Sequence, residues 1–218
     1  MENVNTIIFG DSYSTHESII PKGYITYYSD SGRAEGPAVT SLKMQDTWWY
    51  RYISHVGGKL LRNDSWSGST ICYTGYNHED CSRSSSFIYR YRQLKQSGFF
   101  EKNRVDRVLV FGGTNDSWSD APLGELKTCD WQEQDLFCVL PAISYFAYTL
   151  KTDLPDAEIV FIINTDIKEE IRSCMEEVAR CFGLRSVRLE GISKEYGHPT
   201  ATGMREISEQ LIRATTLP

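Results

Sequence analysis

Two distant stretches of this sequence hold the residue types that nucleophilic catalysis at a serine requires. Ser12 follows Gly10 and Asp11 at the end of the apolar run IIFG, and His198 lies in the stretch GHPTATGM. A serine hydroxyl is a poor nucleophile near neutral pH unless a base lies within hydrogen-bond reach, and histidine is the usual base because its ordinary pKa lies near that pH. Taken alone, Ser12 is also a common turn residue, so its catalytic assignment depends on partners elsewhere in the chain.

Two further stretches offer hydrogen-bond donors for the oxyanion that develops when a serine attacks an acyl group. The backbone N–H of Gly68 in SGS and the side-chain amide of Asn115 in GGTND are the candidates, with the N–H of Ser12 as a third donor. Glycine suits position 68 because the backbone must approach the substrate closely there. Asp11 and Asp116 are predicted to support the turns through hydrogen bonds to backbone amides.

Apolar runs alternate with helical patterns along the chain. The runs predict strands at 6–10, 59–65, 106–113, 157–164 and 185–191, and the periodic stretches predict helices at 44–58, 85–98, 131–152 (divided at Pro141), 167–183 and 200–215. This alternation predicts an α/β protein: a three-layer α/β/α, flavodoxin-like, doubly wound five-stranded parallel sheet of order 2-1-3-4-5. Ligands bind beyond the carboxyl ends of such strands, where the topology also sends Ser12, Gly68, Asn115 and His198.

The chain of 218 residues is predicted to form a single domain, with a long inserted loop near 13–43. The loop carries several tyrosines, which favours an ordered segment beside the site. The net charge of −6 argues against a nucleic-acid partner, and the basic stretch RYRQLK (90–95) is predicted to be the exposed face of a helix. The six cysteines form no CxxC pair and no zinc-spaced Cys/His cluster, so no metal site is predicted.

The sequence also bears on location. No apolar segment approaches the ~20 residues that span a bilayer. The start MENVNTIIFG lacks the pattern of a secretion signal. We therefore expect a cytoplasmic protein as the sequence stands, or a secreted or periplasmic one if a leader preceded Met1. The oligomeric state stays open.

Together, the four stretches resemble the SGNH (GDSL-type) hydrolase family of esterases and lipases, which is named for a Ser, Gly, Asn and His in four sequence blocks. Ser12, Gly68, Asn115 and His198 match these blocks in the family's order, and the resemblance covers residues 6 to about 212. It implies hydrolysis of esters or thioesters through an acyl-serine intermediate, without a metal or organic cofactor. Asn115 and His198 lie in the more specific of the four motifs.

The acid that orients His198 departs from the family pattern. The family usually has Asp three residues before the His, and Glu195 occupies that position here. Glu acts as the triad acid on other folds, so Glu195 is the first candidate for this role. A backbone carbonyl that orients the ring, leaving a Ser–His dyad, is the alternative.

The prediction of the substrate class depends on aromatic residues in the predicted loops. Flat rings beside hydroxyl and amide groups suit stacking on sugars, whereas the polar loop 75–86 does not suit the broad apolar rim of a lipase. The loop aromatics are Tyr13, Tyr24, Tyr27, Tyr28, Trp66, Tyr73, Tyr76, Trp118 and Trp131, about half of which could equally pack beneath the loops. We therefore expect an esterase that deacetylates a carbohydrate. The alternatives are a short-chain lipid esterase or acyl thioesterase, and a non-catalytic glycan-binding module.

Overall fold

A parallel β-sheet forms the centre of the computed structural model, which describes residues 4–32 and 41–216. Its strands are β1 (Val4–Gly10), β2 (Gly58–Ser65), β3 (Arg107–Phe111), β4 (Glu158–Ile163) and β5 (Arg185–Arg188). The strand order is β2-β1-β3-β4-β5, and every neighbouring pair is parallel. This confirms the predicted doubly wound sheet. Residues 33–40 of the predicted loop 13–43 lie outside the described residues.

Helices cover both faces of this sheet. They are α1 (Trp48–His55), α2 (Phe87–Gln96), α3 (Phe99–Lys102), α4 (Thr114–Trp118), α5 (Val139–Asp153), α6 (Glu169–Phe182) and α7 (Ala201–Thr216). In β3, Val108 and Val110 face the core shared with α2, α5 and α6, whereas Leu109 and Phe111 face the core shared with α1 and α7. A strand covered on both faces needs an apolar residue at every position, which explains the continuous run VLVF. Among the described residues, no helix is both long enough and apolar enough to cross a bilayer.

The predicted division of a helix at Pro141 is wrong. Helix α5 begins at Val139, and Pro141 lies in its first turn. A proline is tolerated there because the first backbone N–H groups of a helix have no partner within the helix. The preceding part of the predicted stretch forms a separate 3-10 turn, Glu133–Phe137.

The prediction that the stretch 90–95 forms an exposed helix face is wrong at Arg90, because its side chain is only 1% exposed. Its guanidinium group donates hydrogen bonds to Asp64 Oδ1 at 2.7 Å, to the carbonyl of Gly10 at 3.2 Å and to Ser69 Oγ at 3.2 Å. A buried charge is tolerated only when it is paired and hydrogen-bonded. Arg90 therefore connects the carboxyl ends of β1 and β2 to the loop that follows β2.

Replacing this arginine tests the connection. We expect Arg90→Met to lower the free energy of unfolding by about 3 kcal/mol, the lower end of the range for breaking a buried ion pair, because Arg62 still contacts Asp64 Oδ2. The control is Arg104→Met, which removes an exposed partner of Asp106 and should change stability by less than ~1 kcal/mol. Urea unfolding followed by circular dichroism measures both. Equal losses in the two variants would contradict a structural role for Arg90.

Candidate active site

Ser12 lies directly beyond the carboxyl end of β1, in a 3-10 turn formed by Ser12–Ser14. Asp11 caps this turn, since its Oδ1 accepts a hydrogen bond from the backbone N–H of Tyr13 at 3.0 Å. At Gly10, a Cβ atom would lie 2.5 Å from Ser65 Oγ, so only glycine lets the turn pack this closely against the end of β2. Ser12 itself is 3% exposed. The turn thus presents a sheltered hydroxyl at the edge of the sheet.

His198 reaches this hydroxyl from a short hairpin of β6 (Lys194–Glu195) and β7 (His198–Pro199). The two connecting residues, Tyr196 and Gly197, both have positive φ angles, of 48° and 78°. This is the backbone pattern of the tight turns that join antiparallel strands. His198 Nε2 lies 3.0 Å from Ser12 Oγ, and His198 Nδ1 lies 3.1 Å from the carbonyl oxygen of Tyr196. A carbonyl only accepts, so Nδ1 carries the proton and Nε2 can accept the proton of the Ser12 hydroxyl.

The structure does not bring Glu195 to the histidine ring. Glu195 pairs with His198 across the hairpin, but its side chain is exposed and makes no hydrogen bond to the ring within residues 4–32 and 41–216. The Tyr196 carbonyl holds the position expected of this carboxylate, because the tight turn folds that carbonyl back onto Nδ1. The geometry is therefore that of a Ser–His dyad oriented by the backbone.

Aromatic rings enclose His198. The ring of Tyr27 stacks on the imidazole, with 3.6 Å between centroids and 6° between planes. The rings of Tyr13 and Trp118 approach it at steeper angles, with centroid distances of 5.4 and 5.9 Å. Tyr13 also donates a hydrogen bond from its hydroxyl to the carbonyl of Gly197, within the hairpin turn. These contacts fix the orientation of the imidazole plane.

The surroundings of His198 favour its neutral form. Burial lowers the pKa of His198 below its ordinary value of 6.5, and the nearby Lys194 ammonium lowers it further, while the hydrogen bond to the Tyr196 carbonyl acts in the opposite direction. Lys194 is held in place by hydrogen bonds from Nζ to Asn164 Oδ1 at 2.9 Å and to Asp166 Oδ2 at 2.8 Å. A neutral imidazole at pH 7 can accept a proton from Ser12.

The predicted oxyanion donors lie on the neighbouring loops. Asn115 is on α4 and 3% exposed, and its amide is fixed from both sides. Its Nδ2 donates to the carbonyl of Ser69 at 2.9 Å, and its Oδ1 accepts from the Tyr76 hydroxyl at 2.8 Å. This leaves the second N–H of the amide for a ligand. Gly68, beside Ser69, has a φ of +84° and open space where a Cβ would stand, so its backbone can be approached closely.

Asp116 anchors the loop that carries these donors. Its buried carboxylate accepts hydrogen bonds from the backbone N–H groups of Ile71 at 2.9 Å and Cys72 at 3.0 Å. Burial raises the pKa of Asp116, and the backbone donors oppose that shift. Burial likewise raises the pKa of Asp11 to about 7. In the part of the chain that the structure describes, no group of three or more His, Cys, Asp and Glu side chains could hold a metal ion.

The sequence shows which aromatic residues lie in loops but not which of them are buried. Tyr13, Tyr27, Tyr28 and Tyr73 are buried, whereas Tyr76 and Trp118 are each 39% exposed. The contact of Tyr76 with Asn115 and the stacking of Tyr27 on His198 were both missed. Their only signal in the sequence is the presence of tyrosines in long loops beside the predicted site.

Comparisons with known proteins identify the family of this chain. Residues 4–215 match the family model for GDSL-like Lipase/Acylhydrolase. A solved structure described as a GDSL-like lipase from Bacteroides uniformis ATCC 8492 is 38% identical, with a TM-score of 0.88 over 98% of this chain and 96% of that chain. Another, from Bacteroides ovatus ATCC 8483, is 34% identical, with a TM-score of 0.87 over 98% of each chain. The chain has no match among curated proteins.

A more distant structure shares the fold. A family two carbohydrate esterase from Cellvibrio japonicus is 16% identical and has a TM-score of 0.65, over 96% of this chain and 61% of that chain. At this level of identity, the likeness concerns the fold alone.

The state of His198 predicts the pH dependence of ester hydrolysis. Only a neutral imidazole can accept a proton, and burial lowers the pKa of His198. If His198 is the base, kcat/KM for p-nitrophenyl acetate should rise with pH through a midpoint below 6.5 and then stay level near pH 7. Lys194→Met removes a positive charge and should move this midpoint upward. Lys151→Met, on α5, is the control and should not move it. A midpoint that is unchanged in Lys194→Met would contradict the assigned cause.

The position of Glu195 yields a second prediction. Removing a carboxylate that orients a catalytic histidine costs about 10⁴-fold in turnover. Glu195→Gln should instead keep kcat close to the wild-type value, because the Tyr196 carbonyl holds the ring nitrogen. Glu190→Gln is a matched control at another exposed glutamate. A large loss of kcat confined to Glu195→Gln would restore the triad interpretation.

Proposed function

The chain belongs to the GDSL-like lipase/acylhydrolase family and is a serine ester hydrolase, and we propose that it removes short acyl groups, acetyl above all, from carbohydrates. The observation that carries the catalytic assignment is the 3.0 Å contact between Ser12 Oγ and His198 Nε2. Ser12 is the proposed nucleophile and His198 the proposed general base. Gly68, Asn115 and the backbone N–H of Ser12 are the proposed oxyanion donors.

The first half of the reaction makes an acyl-enzyme. His198 Nε2 accepts the hydroxyl proton as Ser12 Oγ attacks the ester carbonyl carbon, which gives a tetrahedral intermediate with an oxyanion. The second N–H of Asn115 and the backbone N–H of Gly68 donate to that oxyanion, and each such donor is worth about 100- to 1000-fold in turnover. His198 then gives its proton to the leaving alcohol oxygen as the carbon–oxygen bond breaks.

The second half returns the enzyme to its starting state. Water takes the place of the alcohol, and His198 Nε2 accepts its proton as the water oxygen attacks the acyl-serine. The proton returns to Ser12 Oγ as the acid departs. Throughout both halves, the hydrogen bond from Nδ1 to the Tyr196 carbonyl keeps the imidazole in the same tautomer and orientation.

Exposed aromatic rings at the rim support a sugar as the alcohol part of the substrate. Trp118 contacts the ring of His198, which must protonate the leaving alcohol, and Trp118 is 39% exposed. Tyr76, equally exposed, adjoins Asn115 through its hydroxyl. Such rings pack against the apolar faces of sugars, while neighbouring hydroxyl and amide groups bind sugar hydroxyls. The fold is also that of a carbohydrate esterase from Cellvibrio japonicus.

The position of the apolar groove along α1 is consistent with a short acyl group in the substrate. One apolar groove, with a volume of about 240 Å³, runs along α1. It is lined by Ile19, Met44, Trp49, Tyr50, Ile53, Ser54, Gly58 and Leu60. None of these residues belongs to the candidate site. The groove and the candidate site therefore share no lining residue, so this groove gives no support to a long acyl chain at Ser12.

The proposal is tested with acetylated oligosaccharides and with p-nitrophenyl esters of increasing chain length. We expect release of acetate from the oligosaccharides and a decline in kcat/KM with acyl length. Ser12→Ala should abolish both activities, whereas Ser14→Ala, in the same turn, should retain them. Acid release is followed directly, and a fluorophosphonate should label the wild type at Ser12.

Other outcomes would change the assignment. Activity that is confined to p-nitrophenyl esters, or that increases with acyl length, would favour a lipid esterase or acyl thioesterase. Retention of sugars without any serine-dependent hydrolysis would favour the binding-module alternative.

A further inference from the structure

The candidate base lacks the negative charge that usually accompanies a catalytic histidine. In a Ser–His–acid triad, a buried carboxylate stabilises the imidazolium that forms when the histidine takes the serine proton. Here Nδ1 of His198 donates to the neutral carbonyl of Tyr196, and within the described ranges no carboxylate hydrogen-bonds to the ring. The ammonium group of Lys194 acts against a positive charge on the ring. The hydrogen bond to the Tyr196 carbonyl favours the imidazolium, and an uncharged neighbour that also favours it would add to this effect.

We propose that Tyr27 is a positioning residue whose ring face stacks on His198 and stabilises the imidazolium by a cation–π interaction, in the role that a carboxylate has in a triad. This inference rests on the proposed function, in which His198 is the general base. The two rings are almost parallel, at 6°, and their centroids are 3.6 Å apart. Tyr27 is only 9% exposed, so the contact is largely shielded from water. Shielding strengthens a cation–π contact to a tenfold or larger effect on an equilibrium, as an order-of-magnitude estimate.

The position of Tyr27 is linked to both reacting residues. Its backbone N–H donates to Thr15 Oγ1 at 2.9 Å, and the Thr15 hydroxyl donates to the carbonyl of Ser12 at 2.9 Å. The Tyr27 and Tyr28 rings form an edge-type contact with 74° between their planes. The Tyr28 hydroxyl donates a hydrogen bond to the carbonyl of Pro199 at 2.8 Å. These contacts fix the Tyr27 ring between the Ser12–Ser14 turn and β7, which carries His198.

The other groups around the imidazole do not offer the same interaction. Trp118 is close to perpendicular to it, at 75°, and Tyr13 is tilted by 54°. Among charged groups, Lys194 faces the site and is paired with Asp166, whereas Glu195 is exposed across the hairpin. Tyr27 alone among these presents a parallel ring face.

The test varies the electron density of the ring at nearly constant shape. Position 27 is changed to Phe and then to phenylalanines with one, two and three ring fluorines, incorporated by amber suppression. We expect log kcat for p-nitrophenyl acetate to fall steadily with fluorine number, to a total loss of about tenfold, with KM nearly unchanged. The matched control is the same series at Tyr91, a buried tyrosine of α2 whose ring packs against Phe9 and Phe146, and this series should be flat.

A second readout is the pKa of His198 in the free protein, measured by NMR titration. It should decrease along the Tyr27 series, because the imidazolium loses stabilisation while the neutral ring does not. A ring that only fills space would leave both the pKa and kcat unchanged across the fluorinated variants. Flat responses in folded Tyr27 variants would therefore overturn the inference.

Two results distinguish a failed role of Tyr27 from a failed catalytic assignment. If hydrolysis is lost in Ser12→Ala but kcat and the pKa do not follow fluorination, the catalytic assignment stands and the role of Tyr27 fails. If no serine-dependent hydrolysis occurs in the wild type, the proposed function fails. The NMR titration then still decides whether Tyr27 stabilises the charged ring.

Discussion

The hydrogen bond between Ser12 Oγ and His198 Nε2 joins positions that are 186 residues apart in the chain. No local structure can hold such a contact, so it depends on the parallel sheet that delivers both ends to one edge. Strand β1 ends at the nucleophile turn, and the hairpin before α7 brings the histidine back across it. The rest of the fold maintains a distance of 3.0 Å between these two atoms.

Buried polar contacts hold the loops around this pair. Asp116 binds the backbone of the loop after β2, and Arg90 binds the ends of β1 and β2 together with Ser69 of that loop. Removing such groups from water is costly unless each hydrogen-bonding position is satisfied, and these networks give the loop that carries the proposed oxyanion donors a single geometry. The donors are consequently in place before a substrate arrives, which is the condition for effective oxyanion stabilisation.

At His198, the hairpin turn supplies the hydrogen-bond acceptor that a carboxylate supplies in a Ser–His–acid triad. The turn at Tyr196 and Gly197 supplies a carbonyl that fixes the tautomer, and the aromatic enclosure fixes the plane of the ring. A carbonyl carries no net charge, so it orients the imidazole without strongly stabilising its protonated form. Burial lowers the pKa of His198 in spite of that hydrogen bond, which suits the proposed role of a base that is neutral before it accepts a proton.

The sequence by itself determined where strands and helices alternate along the chain and which residues follow each strand. Both follow from hydrophobic periodicity and glycine turns, which are local properties of the chain. Ser12, Gly68, Asn115 and His198 could be placed at these strand ends in this way, and the family followed from the resemblance of their four motifs to the SGNH pattern. The sequence did not reveal that Arg90 is buried, that Glu195 makes no hydrogen bond to the ring among the described residues, or that Tyr27 stacks on the imidazole. Those outcomes depend on which distant groups meet. Only the tertiary structure decides such contacts, since burial and hydrogen-bond partners are set by packing between elements and not by residue type.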